Sequence, residues 1–416
     1  MKHLAPTLAA LAIAAAPVIG AEDFTVKVGG IVQARALLGN YAENANGDNY
    51  DMLRSQNGNA EYARFGIRRA RIAMSAKTSD GWYGNVTVRA GEPNNLAGTA
   101  DASSAVQLYY AYVGRTFKTG DIEHEIKLGL DKSFNNESAI SSSTLIFPSD
   151  RVTGNVSDSF GARSPGVAYR LNHEYVRFGV DLQNNTTSQN GPISGTSAAT
   201  SGAEANKQNG VRTSARIEGG LLPAKKQESF AGTPGHHLVF GFEAARNGDA
   251  YTTAQTVAGT SSRTTTFIVG PDFQYHLDGL SFLAEYRLRT QDVTAITPAT
   301  TDTVRKEARY LSATAAYAVP LEAGMVVEPG LRVQRADQIS GDPAVAENSA
   351  ASKSADLYPN GEFGKDGGVS GTEWGVVVNT YWNGHKNKTQ VAFNQARALN
   401  DQGLARFVTI QHQVLF

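Results

Sequence analysis

In several short segments of the chain the charged residues share one set of alternate positions, and mostly apolar residues fill the positions between them. In 279–291, for example, Glu285, Arg287 and Arg289 share the odd positions, whereas the even positions are mostly apolar. A period of two residues predicts a β-strand with one polar and one apolar face. The guanidinium group of arginine offers a fixed fork of donors that suits phosphate and carboxylate groups. The candidate anion-pathway residues on these polar faces are Arg69, Arg71, Arg89, Lys127, Arg170, Arg177, Arg212, Arg216, Arg287 and Arg289.

The polar faces carry more basic than acidic residues, although the formal net charge of the whole chain is −1. They include three further arginines, Arg35, Arg115 and Arg332. The acidic residues on the same faces are Glu125, Asp131, Asp181, Glu218, Glu243, Asp272, Glu285 and Glu328. If these faces line a pore, the excess of cations predicts an anion pathway. The alternative is that many of the arginines pair with acids on neighbouring strands.

Sixteen alternating segments follow one another, and the connections between them alternate in length. The predicted strands are 24–39, 63–77, 82–91, 105–117, 122–131, 165–172, 175–184, 210–221, 236–247, 262–276, 279–291, 303–319, 324–337, 371–382, 386–398 and 405–416. Even-numbered strands are mostly followed by tight turns, with 223–234 as a longer exception, whereas the long polar connections follow odd-numbered strands. This sorting predicts an all-β fold, a transmembrane antiparallel β-barrel of 16 strands with short periplasmic turns and long extracellular loops.

Aromatic residues and the last segment support the same orientation. Aromatic side chains fall at the turn-side ends of the strands, where membrane barrels carry an interfacial belt; they are Trp82, Phe117, Tyr175, Tyr275, Tyr317, Trp382 and Phe416. The segment 405–416 alternates to its end and finishes on Phe416. Such an ending is typical of the closing strand of an outer-membrane barrel. For this segment alone, an ordinary edge strand is the alternative interpretation.

Composition argues against several classes of protein. The sequence has no cysteine, which removes thiol chemistry and disulfide bonds, and its near-neutral charge disfavours a nucleic-acid partner. None of the eight histidines can be placed beside a nucleophile in a loop, so we predict no enzyme activity. The oxygen-rich segment 44–51 lacks the ligand spacing of an EF-hand. We therefore predict neither a metal nor a cofactor.

Residues 1–21 are predicted to form a signal peptide that is cleaved on export. Lys2 and His3 precede an apolar run over 4–19, and small residues at 20–21 precede an acidic pair. The run is shorter than the ~20 residues that a membrane-spanning helix needs, although a membrane anchor is the alternative. Residues 22–416 show no break in composition, so we predict that they form one outer-membrane β-barrel domain.

The long connection 132–164 is predicted to fold into the barrel lumen as the third loop. A 16-stranded barrel is wide enough for an aqueous channel, and an inward loop would narrow it. The apolar run 145–148 lies in a polar surrounding and needs burial, which the lumen wall can provide. The predicted constriction residues are Lys132, Phe147, Asp150 and Arg151. The alternative is that this loop packs over the outer rim or against a neighbouring protomer.

Two stretches of the sequence resemble the phosphate-selective porin O/P family. The stretch 63–72 (ARFGIRRARI) is similar to the arginine-rich second strand of that family, and 127–135 with 144–151 is similar to its strand-to-inner-loop segment. The resemblance covers roughly residues 24–160 at the level of motifs. It implies a sixteen-stranded trimeric channel with an inward third loop and an arginine ladder for phosphate or related anions, in which Arg69 and Arg71 match best. The lysine cluster that the family carries at its narrowest point has no match among the predicted lumen positions.

Together these features predict a porin in the outer membrane of a Gram-negative bacterium, through which small hydrophilic solutes diffuse passively. The lumen arginines predict a preference for anions such as phosphate. The predicted partners are outer-membrane lipid, small permeant anions and further copies of the chain in a homotrimer. One alternative is a general-diffusion porin without selectivity. Another is a structural or adhesive barrel with a closed pore, in which the polar loops 185–209 and 338–370 carry the function.

Overall fold

A computed structural model describes residues 24–41, 61–89, 107–133, 143–148, 163–184, 211–223, 227–229, 231, 235–253, 261–296, 301–340, 371–398 and 404–416. Sixteen β-strands form most of this described part. They are β1 (Phe24–Tyr41), β2 (Glu61–Thr78), β3 (Trp82–Arg89), β4 (Gln107–Thr119), β5 (Ile122–Asp131), β6 (Ser164–Asn172), β7 (Val176–Asn184), β8 (Val211–Leu221), β9 (His236–Thr253), β10 (Ser261–Leu277), β11 (Leu280–Ile296), β12 (Thr301–Tyr317, continued by Val319–Pro320), β13 (Val326–Ser340), β14 (Gly371–Asn383), β15 (Asn387–Ala398) and β16 (Leu404–Leu415). The predicted number of strands is confirmed.

The strands form one closed antiparallel barrel. Each strand pairs with its neighbours in the chain, and β16 pairs with β1 from Ile31 opposite Leu415 to Tyr41 opposite Ala405. At the end of this seam Gly30 and Phe416 exchange two backbone hydrogen bonds of 2.9 and 3.2 Å. Because every strand then has two partners, the backbone groups of the sheet are paired without an open edge.

Side chains alternate between a buried polar face and an exposed apolar face. In β8, Arg212, Arg216 and Glu218 are each 1% exposed, whereas Val211 and Ile217 are about half exposed. A barrel surrounded by water would place these residues the other way round. The arrangement matches a barrel with lipid outside and polar groups inside, because the hydrocarbon region accepts apolar side chains and excludes charged ones. The predicted inward and outward faces of β7, β8 and β11 are confirmed.

A bulge in β2 shifts its side chains from one face to the other. The pairing with β1 skips Arg68, because Gln33 lies opposite Arg69 while the next residue of β1 lies opposite Ile67. Phe65 is accordingly 78% exposed on the outside, whereas Arg69 is buried. The broken alternation of this stretch predicts such a bulge, and the extra residue restores the inward direction of the arginines.

The turn-side rim of the barrel is marked by tight turns and aromatic residues. Gly81 and Gly279 take φ angles of 93° and 98°, which a residue with a side chain rarely adopts, and so allow the chain to reverse within a few residues. Six of the seven predicted belt aromatics are exposed, and Tyr275 is half-buried. Their outward position at one rim fits an interfacial belt.

Several of the predicted strands end earlier than the observed ones on the loop side. Strand β9 extends to Thr253 and β11 to Ile296. The extensions contain polar residues and weak alternation, and they are strands because a neighbouring strand continues beside them. The predicted signal peptide and the loop 185–209 lie outside the described residues. Of the predicted loop 338–370, the first three residues belong to β13 and the rest lies outside the described residues. Among the described residues, no helix is long and apolar enough to span a membrane.

Candidate functional site

Residues 143–148, called the inner segment from here on, lie inside the barrel, against the inner wall formed by β11 to β15. Ile146 and Phe147 are almost completely buried and pack with Leu283, Ala316, Val377 and Ala392. The wall residues at this contact are small or aliphatic, unlike the charged residues elsewhere in the lumen. The prediction that the third loop folds into the lumen is confirmed for these residues, and the predicted constriction residue Phe147 lies at the centre of the contact.

Polar wall residues hold the backbone of this segment by hydrogen bonds. The carbonyl oxygen of Ile146 accepts bonds from Gln390 Nε2 at 2.8 Å and Asn379 Nδ2 at 2.9 Å. The carbonyl oxygen of Leu145 accepts a bond from Lys388 Nζ at 2.8 Å. These donors replace the water that an exposed loop would bind, so the buried carbonyl groups keep partners.

The other predicted constriction residues are only partly described. At the base of the loop the backbone N–H of Lys132 donates to Asp131 Oδ1 at 2.8 Å. Asp150 and Arg151 lie outside the described residues. At the far end of the inner segment Arg35 donates to the carbonyl oxygen of Pro148. At the near end Gln413 Nε2 donates to the carbonyl oxygen of Ser143 at 3.2 Å, so the segment is bonded to the wall at both of its described ends.

A glycine on the wall makes room for the inner segment. A Cβ atom at Gly375 would lie 3.0 Å from the ring of Phe147 and 2.2 Å from Asn394 Oδ1. Arg332 lies opposite Gly375 on the neighbouring strand, and its guanidinium carbon is 4.5 Å from the centroid of the same ring. The ring of Phe147 thus packs against a wall position without a side chain and beside a cation, which fixes where the loop docks.

A cluster of arginines and tyrosines lines the wall formed by β2 to β4, and Arg163, the residue before β6, joins it from the end of the third loop. Arg71 and Arg89 lie opposite each other on adjacent strands. Their guanidinium carbons lie 4.0 and 5.3 Å from the ring centroid of Tyr109, and that of Arg163 lies 3.3 Å from the same centroid. Three cations therefore surround one aromatic ring. Neighbouring Arg69 donates a hydrogen bond to Gln33 Oε1 at 2.8 Å.

A second group of arginines, on β8 and β11, forms a buried network with carboxylates. Arg216 bonds Glu218 at 2.7 Å, Asp272 at 2.6 Å and Glu243 at 3.2 Å. Arg287 bonds Glu243 at 2.8 Å and lies 3.5 Å from Asp272. Every one of these side chains is at most 6% exposed. Burial of so many charges is tolerated because each guanidinium faces several carboxylates.

The remaining predicted anion-pathway residues also have partners on the wall. Arg170 lies 3.2 Å from Asp181, Arg177 lies 3.8 Å from Glu218 and Lys127 bonds Asp131 at 2.8 Å. Arg212 donates to Gln183. Arg289 is buried on β11. The ladder expected from sequence is thus divided. Strands β2 and β3 carry arginines around a tyrosine, whereas most arginines of β5 to β11 face acids.

Sequence reasoning missed several residues of this site. Tyr109 belongs to a run of three tyrosines interrupted by alanine in β4, which gives no sign of its contact with arginines. Lys388 is completely buried beneath the inner segment, and the alternation of β15 is too weak to assign its face. Glu228 and Ser229 belong to the overlong connection on the turn side. That length is the signal that could have drawn attention to them.

The described residues contain no group of three or more histidine, cysteine, aspartate or glutamate side chains that could hold a metal ion. Several carboxylates of the lumen, among them Asp181, Glu243 and Asp272, instead face arginines. The arrangement offers a polar surface along the barrel axis, with residues 143–148 packed against one side of it. Charge and hydrogen bonds are the interactions that this surface can make.

Comparison with known proteins places the chain by its fold. No protein-family model matches the sequence, and no curated protein matches it significantly. Among solved structures, the chain is similar to the outer membrane channel DcaP of Acinetobacter baumannii, with 13% identity and a TM-score of 0.54 over 96% of this chain and 100% of that one. It is similar to OprB of Pseudomonas putida, with 11% identity and a TM-score of 0.53 over 95% and 94%.

A third similar structure is a loop L8 deletion mutant of OmpT, an outer membrane protein of Vibrio cholerae. It has 11% identity and a TM-score of 0.52, over 95% of this chain and 100% of that one. At such low identity the likeness extends to the fold alone. The chain therefore has the 16-stranded barrel fold of bacterial outer-membrane proteins, and its residues must be interpreted from their own contacts.

Proposed function

We propose that the protein is a porin of the outer membrane of a Gram-negative bacterium, which lets small hydrophilic solutes diffuse passively through a water-filled channel. The observation that carries this proposal is the buried polar lumen of a closed barrel whose outer surface is apolar. Such a barrel separates lipid from a polar path across the membrane. In the proposal residues 1–21 are removed on export, and 22–416 form the channel.

A preference for anions follows from the cluster on β2 to β4. Arg71, Arg89 and Arg163 bring three positive charges around the ring of Tyr109, with Arg69 beside them on β2. Like charges held together raise the local positive potential and hence the local concentration of anions. The planar donors of arginine can replace part of the water that hydrates a phosphate or carboxylate group.

General diffusion without selectivity is the second candidate, and a specific observation favours it. The arginines of β5 to β11 face Glu125, Asp181, Glu218, Glu243 and Asp272, which offset their charge. The preference for anions would then rest on the β2–β4 cluster alone. Selectivity for phosphate would require more than this cluster, because phosphate and other small anions share the same interactions with arginine.

The proposal is tested by the reversal potential of single channels in a planar bilayer under a chloride gradient, repeated with added phosphate. We expect a potential that indicates preference for anions. Arg69→Ala, Arg71→Ala and Arg89→Ala should each lower the anion-to-cation permeability ratio, because each removes one charge from the cluster. Block of the chloride current by phosphate would support a phosphate site within the lumen.

A matched control is Arg406→Ala, which removes the same charge from an exposed side chain bonded to Gln395. This variant should keep the wild-type ratio. An unchanged ratio in all three lumen variants would rule out the cluster as the origin of selectivity and leave the general-diffusion channel. Absence of conductance in the wild-type protein would contradict the porin function and support a structural or adhesive barrel.

We also propose that the chain assembles as a homotrimer, surrounded by outer-membrane lipid. The support is a similar structure of OmpT from Vibrio cholerae that is described as a trimer form, with 10% identity and a TM-score of 0.50. The exposed apolar belt of each barrel provides a surface for such contacts. Chemical cross-linking in native membranes should give a trimer ladder, and a monomer band alone would contradict this assembly.

A further inference from the structure

A segment from the turn-side rim also enters the barrel. It belongs to the connection between β8 and β9, and its described residues 227–229 and 231 are called the inner turn here. Glu228 is 1% exposed and Ser229 is completely buried, although the connection starts and ends at the rim. An ordinary turn between adjacent strands would remain in water. Burial of a glutamate at this position requires partners inside the lumen.

The partners of the inner turn include the inner segment 143–148, which comes from the opposite rim. The backbone N–H of Ser229 donates to the carbonyl oxygen of Thr144 at 3.0 Å. The backbone N–H of Ile146 donates to Glu228 Oε2 at 2.8 Å. The backbone N–H of Glu228 makes a longer bond of 3.4 Å to Thr144 Oγ1. Two connections that enter the lumen from opposite rims of the barrel are therefore joined by direct hydrogen bonds.

A wall carboxylate fixes this junction. Glu328 on β13 accepts hydrogen bonds from Ser229 Oγ at 2.6 Å, from Tyr381 Oη at 2.6 Å and from Asn379 Nδ2 at 2.9 Å. The same Asn379 nitrogen donates to the carbonyl oxygen of Ile146 at 2.9 Å. One buried glutamate thus coordinates the inner turn and, through Asn379, the inner segment.

Two further wall residues bind the inner turn itself. His385 Nε2 lies 3.0 Å from the carbonyl oxygen of Ser229, in hydrogen-bond contact. Gln274 donates to the carbonyl oxygen of Gln227. With these contacts the inner turn is attached to β10, β13, β14 and the turn after β14. Hydrogen bonds to several parts of the wall therefore hold the inner turn in place, as they do the inner segment.

We propose that the inner turn is a positioning element of the channel, and that Glu228 sets the place of the constriction by holding the backbone of Ile146. The narrow part of the lumen would then be fixed from both rims. Without Glu228 the N–H of Ile146 loses its acceptor in a buried place, which favours a displaced inner segment. The effect on conduction rests on the proposed porin function, whereas the contact itself does not.

The first experiment compares Glu228→Ala with Glu228→Gln in single-channel recordings. The amide oxygen of Gln can still accept the bond from Ile146, but alanine cannot. We expect channels of the Glu228→Ala variant to spend about ten times more of the recording at a second, higher conductance level than wild-type channels do. A tenfold change corresponds to about 1.4 kcal/mol in the free-energy difference between the two positions of the inner segment. Glu228→Gln should keep the wild-type level. Equal behaviour of the wild type and both variants, with folding verified by heat-modifiable migration on gels, would overturn the proposal.

The second experiment needs neither conduction nor the Glu228 variants. Because the chain has no cysteine, Thr144→Cys with Ser229→Cys introduces one defined pair. Oxidation of the folded barrel should join the two positions, since their backbones share a hydrogen bond. The matched pair Thr144→Cys with Ser79→Cys, at an exposed turn residue, should stay unlinked. Failure of the first pair to link would overturn the junction, whereas linking in a protein without conductance would contradict the porin function alone.

Discussion

Replacement of Arg216 by alanine should destabilise the barrel strongly, because one guanidinium group bonds three buried carboxylates. Arg216 has no exposed side-chain surface and contacts Glu218, Asp272 and Glu243 at 2.7, 2.6 and 3.2 Å. Removal of one partner of a buried ion pair typically costs about 3–5 kcal/mol, since the remaining charge stays buried without compensation.

The structure places this substitution at the lower end of that range. Arg287 still bonds Glu243 at 2.8 Å and lies 3.5 Å from Asp272, and Arg177 lies 3.8 Å from Glu218. Each carboxylate therefore keeps one cation nearby. We expect a loss of about 3 kcal/mol in the free energy of unfolding.

The measurement is a urea titration of the barrel in lipid vesicles, followed by tryptophan fluorescence. The control variant is Arg305→Ala, which breaks an exposed pair with Asp292 and should leave stability unchanged. A second substitution, Asp272→Asn added to Arg216→Ala, should recover part of the loss because it removes a buried charge without a full set of partners. A loss below about 1 kcal/mol for Arg216→Ala would refute the reasoning that this network stabilises the wall.

Two glycines allow further predictions about packing. Gly375→Val should lower the free energy of unfolding by about 1–3 kcal/mol and displace Phe147. Thermal unfolding and single-channel conductance should both change. The control is Gly219→Ala, where the nearest atom to the added Cβ would be 3.8 Å away, and it should change neither measurement. Gly30→Leu should weaken the closing seam, because a Cβ atom there would lie 2.4 Å from the ring of Phe416. Loss of heat-modifiable migration at a lower temperature than in the wild type would report this, and unaltered migration would contradict it.

The fold was largely predictable because the alternation of polar and apolar residues along each strand of a membrane barrel is a local sequence pattern. Alternation in β7 and β11 identified the inward faces, and the broken alternation around Phe65 identified the bulge. These features depend on neighbours two residues away. Strand ends such as Thr253 were less predictable, because pairing with an adjacent strand extends them beyond their own alternation.

The contacts of the lumen were less predictable, because they depend on the register of several paired strands and on the place where each inward connection packs against the wall. Arg216 and Asp272 are 56 residues apart in the sequence and meet only through the pairing of β8, β9 and β10. The division of the arginines into two groups follows from the same registers. The junction of Glu228 with Ile146, across 82 residues, leaves a single trace in the sequence, which is an overlong turn.

The junction of the two inward segments has a consequence for the order of assembly. Adjacent strands can pair one after another along the chain, since most of the sheet joins sequence neighbours. The inner segment, however, bonds Gln390, which follows it by 244 residues, and the inner turn needs Tyr381, 152 residues beyond Ser229. Contacts so distant in sequence carry a large entropic cost until the chain between them is ordered. We therefore expect the two inward segments to dock at the end of folding, after the wall that receives them has formed.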